Sequence, residues 1–406
     1  MMGKKEIPAR ADLVDYNHTV AGQCAASPAD RPMVSNVVSL LSSAGTMCDA
    51  DGELFIKPCT QAEIDFYNSA NENHPDFADL MPLFMGTLML NDPAELSSIE
   101  DGVPGPVSSA AAKEELTQAV TGQTSAVAES QPDKEKWVQN KSKKIKTDQA
   151  VVLENSGSGF TSPNFLDVKL GERLWADDAP AEKKRRFDEI TRKTTHGPLG
   201  FRIAGMKVWR GSTMKSELDH EDYKIYDKDY GRTHVNTDNV VDNFRKFIFN
   251  KAAGIDDDLA RAVVQAFLRD LRTVEQVLAS KESRMYSASL LFVFEGDGDK
   301  LKDAIAQNNT AVDRVEAEVE KSETPGRAAL RVDSGIELID EDLVTIDAAV
   351  NGGDEDDEDD GPVLPKIYSL KLIDFAHAQW TPGQGPDENA LKGVRSLIKI
   401  FEEMAQ

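Results

Sequence analysis

Cysteine is scarce in this chain: Cys24, Cys48 and Cys59 are all there is in 406 residues. Their spacing fits no zinc motif and no even disulfide framework, which points to a reducing compartment. No apolar run approaches the roughly 18 residues of a membrane span. The opening Met1-Met2-Gly3-Lys4-Lys5-Glu6 lacks the apolar core of a secretion signal. Positive charge is short as well, with 46 Lys and Arg against 71 Asp and Glu and a net charge of -25. That balance argues against a broad nucleic-acid surface and makes any local basic cluster conspicuous. What is present is 40% hydrophobic residues beside 29% charged ones. The first supports a real core, and the second implies a soluble chain with some solvated stretches. The length allows two or three domains.

Two stretches are polar enough to be insertions. Residues 97–134 are rich in Ser, Ala, Glu, Gly and Pro and are expected to be disordered. A second polar insertion is expected from about 299 to 365, and it holds an unbroken acidic run from Asp354 to Asp360. Such a block repels itself and stays solvated. It suits a spacer, or a patch for a basic protein partner.

Between the insertions lies Pro163-Asn164-Phe165-Leu166-Asp167-Val168-Lys169-Leu170-Gly171, the pattern Pro-x-x-x-Asp-x-Lys-x-Gly. On an extended segment Asp167 and Lys169 project from one face, while Leu166, Val168 and Leu170 take the other. A carboxylate and an ammonium over a buried support can orient a hydroxyl nucleophile and hold a phosphate. An exposed ion pair on an edge strand would read the same. A second segment, Ser369 to His377, is an apolar run that ends in Asp374-Phe375-Ala376-His377. Protein kinases end a similar strand in Asp-Phe-Gly, whose Asp holds magnesium.

Further segments fall around these two. Leu54 to Lys57 suits a short strand stopped by Pro58, with Thr60 and Glu63 spaced as a capping box for the helix that follows. Pro82 to Leu90 and Lys144 to Asn155 also read as strands. Gly200 to Trp209 alternates like a core strand, and Asn243–Phe249 and Leu259–Ala279 read as scaffold helices. After the Asp-Lys segment, residues 181–193 hold six basic side chains in thirteen, and Asp178 is an N-cap candidate. On a helix, Lys183, Arg186 and Lys193 flank Phe187 and Ile190, while Arg185 and Arg192 point away. Such a stripe can bind several phosphates at once. A solvated basic helix or a nuclear-import signal would also account for it.

Four blocks in order carry a resemblance to a known family. They are Pro163–Gly171, Ser287–Gly296, Leu372–His377, and Gly385-Pro386-Asp387-Glu388-Asn389, which opens a last helix. The chain resembles the inositol polyphosphate kinases, most of all the fungal multikinases, with Ala288 where the family usually has Ser. The resemblance implies an α+β, two-lobed kinase fold. A small antiparallel β lobe (1–154) would bind ATP. A larger α/β lobe (155–406) would carry the inserted substrate helix, 179–193.

The family further implies roles for single residues. Lys57 would be the ATP lysine, and Glu154 and Asn155 would form the hinge against adenine. Asp374 would hold Mg2+. Asp167 would orient a ribose hydroxyl or the attacking hydroxyl, and Lys169 would neutralise phosphoryl charge. Lys183, Arg186, Lys193 and His377 would face the substrate phosphates. The implied reaction is ATP-dependent phosphorylation of inositol 1,4,5-trisphosphate and tetrakisphosphate at the 3- and 6-hydroxyls, toward pentakisphosphate. A phosphatidylinositol bisphosphate headgroup is a second candidate substrate. The alternatives are an inositol hexakisphosphate kinase or trisphosphate 3-kinase of the same family, and a non-catalytic nuclear transcription scaffold that keeps the fold. The expected location is nucleus and cytoplasm. One stretch departs from the family. Tyr16 to Gln23 resembles its first strand, but Cys24 to Thr46 then intervenes, as an insertion or a gene-model artefact such as a retained intron.

Overall fold

The computed structural model describes residues 14–15, 46–49, 51–89, 147, 149–321 and 364–406. The stretches 97–134, Cys24 to Thr46 (but for Thr46 itself) and the acidic run 354–360 lie outside the described residues. Among those described, Cys48 is disulfide-bonded, which departs from the all-reduced expectation, and Cys59 is a buried free thiol.

Two antiparallel sheets form the frame. The smaller contains β1 (Val14–Asp15), β2 (Met47–Cys48), β3 (Leu54–Pro58), β4 (Phe84–Met89) and β5 (Gln149–Glu154), in the order β1-β2-β3-β5-β4. Between β3 and β4 run α1 (Gln61–Asn73) and the short α2 (Pro75–Ala78). Thr60 sits at the N-cap of α1, but its side chain makes no capping bond. Glu63 turns to Lys57 instead, at 2.9 Å. One carboxylate cannot close a capping box and hold a buried ammonium together, and the ion pair wins.

The larger sheet holds β6 (Pro163–Leu170), β7 (Phe201–Trp209), β8 (Tyr223–Tyr226), β10 (Ser289–Glu295) and β11 (Tyr368–Ile373), in the order β11-β10-β6-β7-β8. A short pair, β9 (Ser283–Met285) with β12 (Ala378–Trp380), lies beside it. The connecting helices are α3 (Ala181–Lys193), α4 (His196–Leu199), α5 (Lys228–Thr233), α6 (Val240–Ile248), α7 (Asp257–Ser280), α8 (Gly298–Lys321) and α9 (Glu388–Met404). The scaffold assignments at 243–249 and 259–279 fall on α6 and α7.

The strand β6 runs through the centre of the larger sheet, so both its faces are covered. Leu166, Val168 and Leu170 enter the main core with Phe244, Phe267, Phe292 and Phe401. Full burial of each such side chain contributes about 1.5–3 kcal/mol. Phe165 points to the opposite face, into a small cluster with Phe160, Leu291 and Val293. Asp167 and Lys169 share that second face by the two-residue period. The strand ends at Gly171, whose φ is +93° and whose missing Cβ would sit 2.5 Å from Asn389 Nδ2. Asn389 fills that space and accepts the backbone N–H groups of Glu172 and Arg173. The final glycine of the motif is thus a strand terminator docked on the last helix.

Two boundaries differ from expectation. The polar insertion does not begin at 299, because residues 298–321 are helical. Leu301, Ala304, Ile305 and Asn308 recur at helical spacing and are buried, with Asn308 Nδ2 donating to Pro365 O at 3.0 Å. The flanking Asp, Lys and Gln residues mask this narrow apolar stripe in the composition. The basic helix α3 starts at Ala181 with Pro180 as its N-cap, so Asp178 does not cap it.

Candidate active site

Four charged side chains meet between the sheets. From β3, Lys57 Nζ lies 3.0 Å from Asp374 Oδ1 and 2.9 Å from Glu63 Oε1. From β6, Lys169 Nζ lies 3.5 Å from Asp374 Oδ2. Lys169 also donates to Ser287 O at 2.7 Å and Ser289 Oγ at 3.2 Å, so the Ser-Ala-Ser block orients it. Asp167 is buried beside them, and its Oδ1 has no hydrogen-bond partner. Asp374 follows β11 with φ +70°. Aspartate tolerates that left-handed conformation better than most residues. Phe375 locks the turn: its ring stacks on Phe66 at 5.1 Å and meets Tyr67 edge-on at 5.4 Å.

The charges tune one another. Burial opposes ionisation of Asp374, yet the Lys57 and Lys169 ammoniums hold its carboxyl well below the usual range. Burial also opposes the charge on Lys57, but Asp374 and Glu63 hold its ammonium above the ordinary lysine value. For Asp167 burial wins: its pKa is pushed up to about 6, with Lys169 opposing and Asp374 adding to the rise.

One side of this cluster opens into an apolar cleft lined by Phe55, Tyr67, Leu153, Leu291 and Ile373, with Lys57 and Asp374 at its charged end. A flat aromatic base fits between such walls. Glu154 and Asn155, the expected hinge residues, line the same cleft. Their N–H groups are already committed, however: Glu154 N–H donates to Leu83 O at 2.9 Å and Asn155 N–H to Glu53 O at 2.7 Å. The Glu154 carboxylate is tied to Lys366 at 2.7 Å. Asn155 donates through Nδ2 to Gly52 O and accepts from Gly157 N–H, so it shapes the hinge. A base here would have to bond to other hinge groups than these two N–H groups.

The other side opens into a cavity of about 280 Å³. Its cationic wall is Lys169, Lys183, Arg202 and Arg232, with His377 beside them, and its apolar wall is Leu174, Phe187 and Ile190. Lys183 Nζ lies 3.3 Å from His377 Nε2. Burial, then the Lys183 charge, lowers the His377 pKa, which favours the neutral ring that can accept from Lys183. Arg186 and Lys193 are not in the lining. Arg186 is exposed, with its guanidinium 5.3 Å from the Phe187 ring centroid, and Lys193 is exposed and paired with Glu189 at 2.6 Å. Both sit on the flank of α3 that the inward stripe of Lys183, Phe187 and Ile190 leaves outside.

Arg202 and Arg232 escaped sequence reasoning. Arg202 stands directly across from Lys169 in the β6–β7 ladder, which puts both on the front face. Its guanidinium is buried, its Nε has no partner, and burial together with Arg232 brings its pKa down to about 10. Arg232 is paired with Asp229 at 3.2 Å, and both guanidiniums line the cavity, where they can receive an anion. Arg232 arrives through Gly231, where a Cβ would sit only 1.9 Å from Ile203 O. The substitution Gly231→Ala is therefore expected to push α5 off β7. A stability loss of roughly 1–3 kcal/mol is expected, read as a lower urea midpoint. An unchanged midpoint would contradict the close approach.

Among the described residues there is no cluster of three His, Cys, Asp or Glu that could cage a metal. Asp374, whose side chain is 38% exposed and faces the cleft, is instead a single accessible carboxylate. One carboxylate plus nucleotide phosphates is a common way to hold magnesium, so the donor set fits a metal shared with ATP.

Comparison with known proteins supplies the family. The inositol polyphosphate multikinase of Saccharomyces cerevisiae is 30% identical over 381 residues, covering 88% of this chain and 94% of that protein. The multikinase of Schizosaccharomyces pombe is 29% identical over 351 residues, covering 86% and 90%. Mouse inositol hexakisphosphate kinase 1 is 27% identical over 276 residues, covering 66% of this chain and 54% of its own. The crystal structure of the S. cerevisiae inositol phosphate multikinase in complex with ADP and Mn2+ has the same fold. It aligns with 87% of this chain and all of its own at a TM-score of 0.50 and 24% identity. The family model for inositol polyphosphate kinase matches residues 150–402, a span that contains the Asp167–Lys169 strand, Asp374 and every wall of the cationic cavity. By sequence, fold and the arrangement of these charges, the chain belongs to the inositol polyphosphate kinase family.

Proposed function

We propose that this kinase acts as a multikinase, transferring phosphoryl groups from ATP to inositol 1,4,5-trisphosphate and tetrakisphosphate at the 3- and 6-hydroxyls, toward pentakisphosphate. The observation that carries the reading is the contact of Lys169 with Asp374 at 3.5 Å. Lys169 lines the cationic cavity and Asp374 lines the apolar cleft, so the two compartments share one wall of charge. An acceptor hydroxyl in the first and a nucleotide in the second would meet across it.

In this reading Lys57 grips the ATP phosphates and stays in place through Glu63. Asp374 holds Mg2+, which neutralises charge on the phosphates when bound. Lys169 stabilises charge on the group in transit, and Arg202, Arg232 and Lys183 hold the acceptor's other phosphates. His377, neutral beside Lys183, offers a polar edge. Asp167 lines neither compartment and its unpartnered Oδ1 is closed off, so it would accept a hydrogen bond from a ribose hydroxyl or from the attacking hydroxyl once a bound ligand opens the way to it. Phosphoryl transfer asks chiefly for positioning and charge stabilisation, and these groups supply both.

Four cations line the cavity, which supports an acceptor with several phosphates, taken in this reading as three or four. A panel of inositol trisphosphate, tetrakisphosphate, hexakisphosphate and phosphatidylinositol bisphosphate, compared by kcat/KM, tests this. The trisphosphate and tetrakisphosphate are expected to lead. Preference for the hexakisphosphate would replace the reading with a hexakisphosphate kinase, and no transfer to any would end it in favour of a scaffold.

The raised pKa of Asp167 sets a pH dependence. Its carboxyl protonates at about 6 when folded, against 3.8 ordinarily. A neutral carboxyl is a weaker acceptor than a carboxylate, so kcat is expected to fall as pH drops through about 6. Stability moves the other way: between 3.8 and about 6 the folded state keeps a proton that the unfolded chain has released. This group therefore lowers stability as pH rises through that window. The substitution Asp167→Asn should remove both effects, and an acid limb of kcat that survives in it would contradict the assignment.

A further inference from the structure

The helix that faces the acceptor cavity is not held by the core. None of the side chains of α3 is buried, and its N-cap, Pro180, offers no side-chain bond. Its roll must be set from elsewhere. The segment 172–177, which links β6 to this helix, makes three bonds to it. Trp175 Nε1 donates to Asp188 Oδ1, Lys184 Nζ donates to Asp177 O, and Thr191 Oγ1 donates to Glu172 O, each at 2.7 Å. With 3.6 residues per turn, Lys184, Asp188 and Thr191 fall within one sector of roughly 60°. The cavity-lining Lys183, Phe187 and Ile190 fill the adjoining sector of about the same width. Fixing the first stripe fixes the second.

Trp175 is the hub of the segment. Its ring carries the Arg173 guanidinium 4.0 Å from its centroid and Lys184 Nζ at 4.8 Å. Arg173 is itself anchored: its Nε donates to Trp175 O at 3.0 Å, its guanidinium lies 4.9 Å from the Tyr286 ring centroid, and its N–H donates to Asn389 Oδ1 of α9 at 2.8 Å. Next to it, buried Leu174 forms part of the cavity wall, and its carbonyl accepts from Ser287 Oγ at 2.9 Å. A rigid path therefore runs from α9 through Arg173 and Trp175 to the outer stripe of α3.

We infer that Trp175 is a positioning residue for the acceptor: it sets the roll of α3 and so the placement of Lys183 and Phe187 in the cavity. The inference rests on reading that cavity as the inositol phosphate site. Loss of a contact made equally in the ground and transition states raises KM and leaves kcat unchanged. Trp175→Ala is accordingly expected to raise KM for inositol trisphosphate by about 10- to 100-fold. The KM for ATP and kcat should hold. Trp175→Phe keeps a ring for Arg173 and Lys184 and deletes only the indole donor, so it should recover most of the loss.

Amide hydrogen exchange of the substrate-free protein gives a second readout. In Trp175→Ala, residues 181–193 are expected to exchange faster while 257–280 stay as in the wild type. Unchanged exchange in 181–193 would overturn the inference. Faster exchange with an unchanged KM for inositol trisphosphate would overturn its bearing on the reaction, as would an equal loss in the KM for ATP. A wild-type enzyme that phosphorylates no inositol phosphate would sink the functional reading instead, and the exchange data would still decide the role of Trp175 in holding the helix.

Discussion

Asp374→Asn is expected to lower kcat by at least about 10³-fold while the fold survives. The carboxylate sits between Lys57 and Lys169, at 3.0 and 3.5 Å, at the charged end of the cleft, where it can hold a metal shared with ATP. Asparagine has nearly the same shape but no charge, so it would hold a metal far less well and leaves two ammoniums without their common partner. The fold should tolerate it for two reasons. Asparagine accepts the left-handed φ of +70°, and Phe375 stays packed on Phe66, Tyr67 and Phe77. Steady-state rates beside a thermal melt check this. Wild-type turnover in a folded Asp374→Asn protein would refute the role given to Asp374.

Lys169→Ala carries the second largest expected effect, a loss in kcat of roughly 10²–10³-fold. Lys169 contacts Asp374 and also lines the acceptor cavity. Its removal leaves charge on the moving phosphoryl group without that ammonium to match it. The KM for ATP should change little, because Lys57 keeps its own contacts to Glu63 and Asp374. Arginine should not rescue. The Lys169 ammonium fits between Ser287 O at 2.7 Å and Ser289 Oγ at 3.2 Å. A planar guanidinium has a different donor geometry and greater bulk. Full activity in Lys169→Arg would show that the pocket around Ser287 and Ser289 is looser than the geometry implies.

Much of the framework was legible because it is written in contiguous patterns. The alternation of Phe165 to Leu170 is enough to place Asp167 and Lys169 on one face. The apolar run into Asp374-Phe375 marks a strand end in the same way, and Lys57 sits on a strand whose helix supplies Glu63. Residues that depend on register between distant segments were not legible. Arg202 looks like a charged outlier in a core strand until the ladder sets it opposite Lys169. Arg232 belongs to a short helix whose close approach needs Gly231.

Where two local solutions compete, sequence spacing alone does not decide. Thr60 and Glu63 have capping-box spacing, but the Lys57 ammonium claims the carboxylate. On α3, a helical wheel gathers Lys183, Arg186 and Lys193 around Phe187, yet only the roll of the folded helix decides which of them turns inward. Composition misled at 298–321, where four buried positions at helical spacing are enough to dock a helix with polar residues on its flanks.

The central claim is that nucleotide and inositol phosphate meet across the Lys169–Asp374 contact. The most direct test is transfer of labelled γ-phosphate from ATP in the presence of Mg2+ and inositol trisphosphate, with products separated by charge. Label is expected in species more highly charged than the trisphosphate, and it is expected to be lost in Asp374→Asn and in Lys169→Ala. Label appearing only in inorganic phosphate, or reaching the inositol products equally well in both variants, would contradict it.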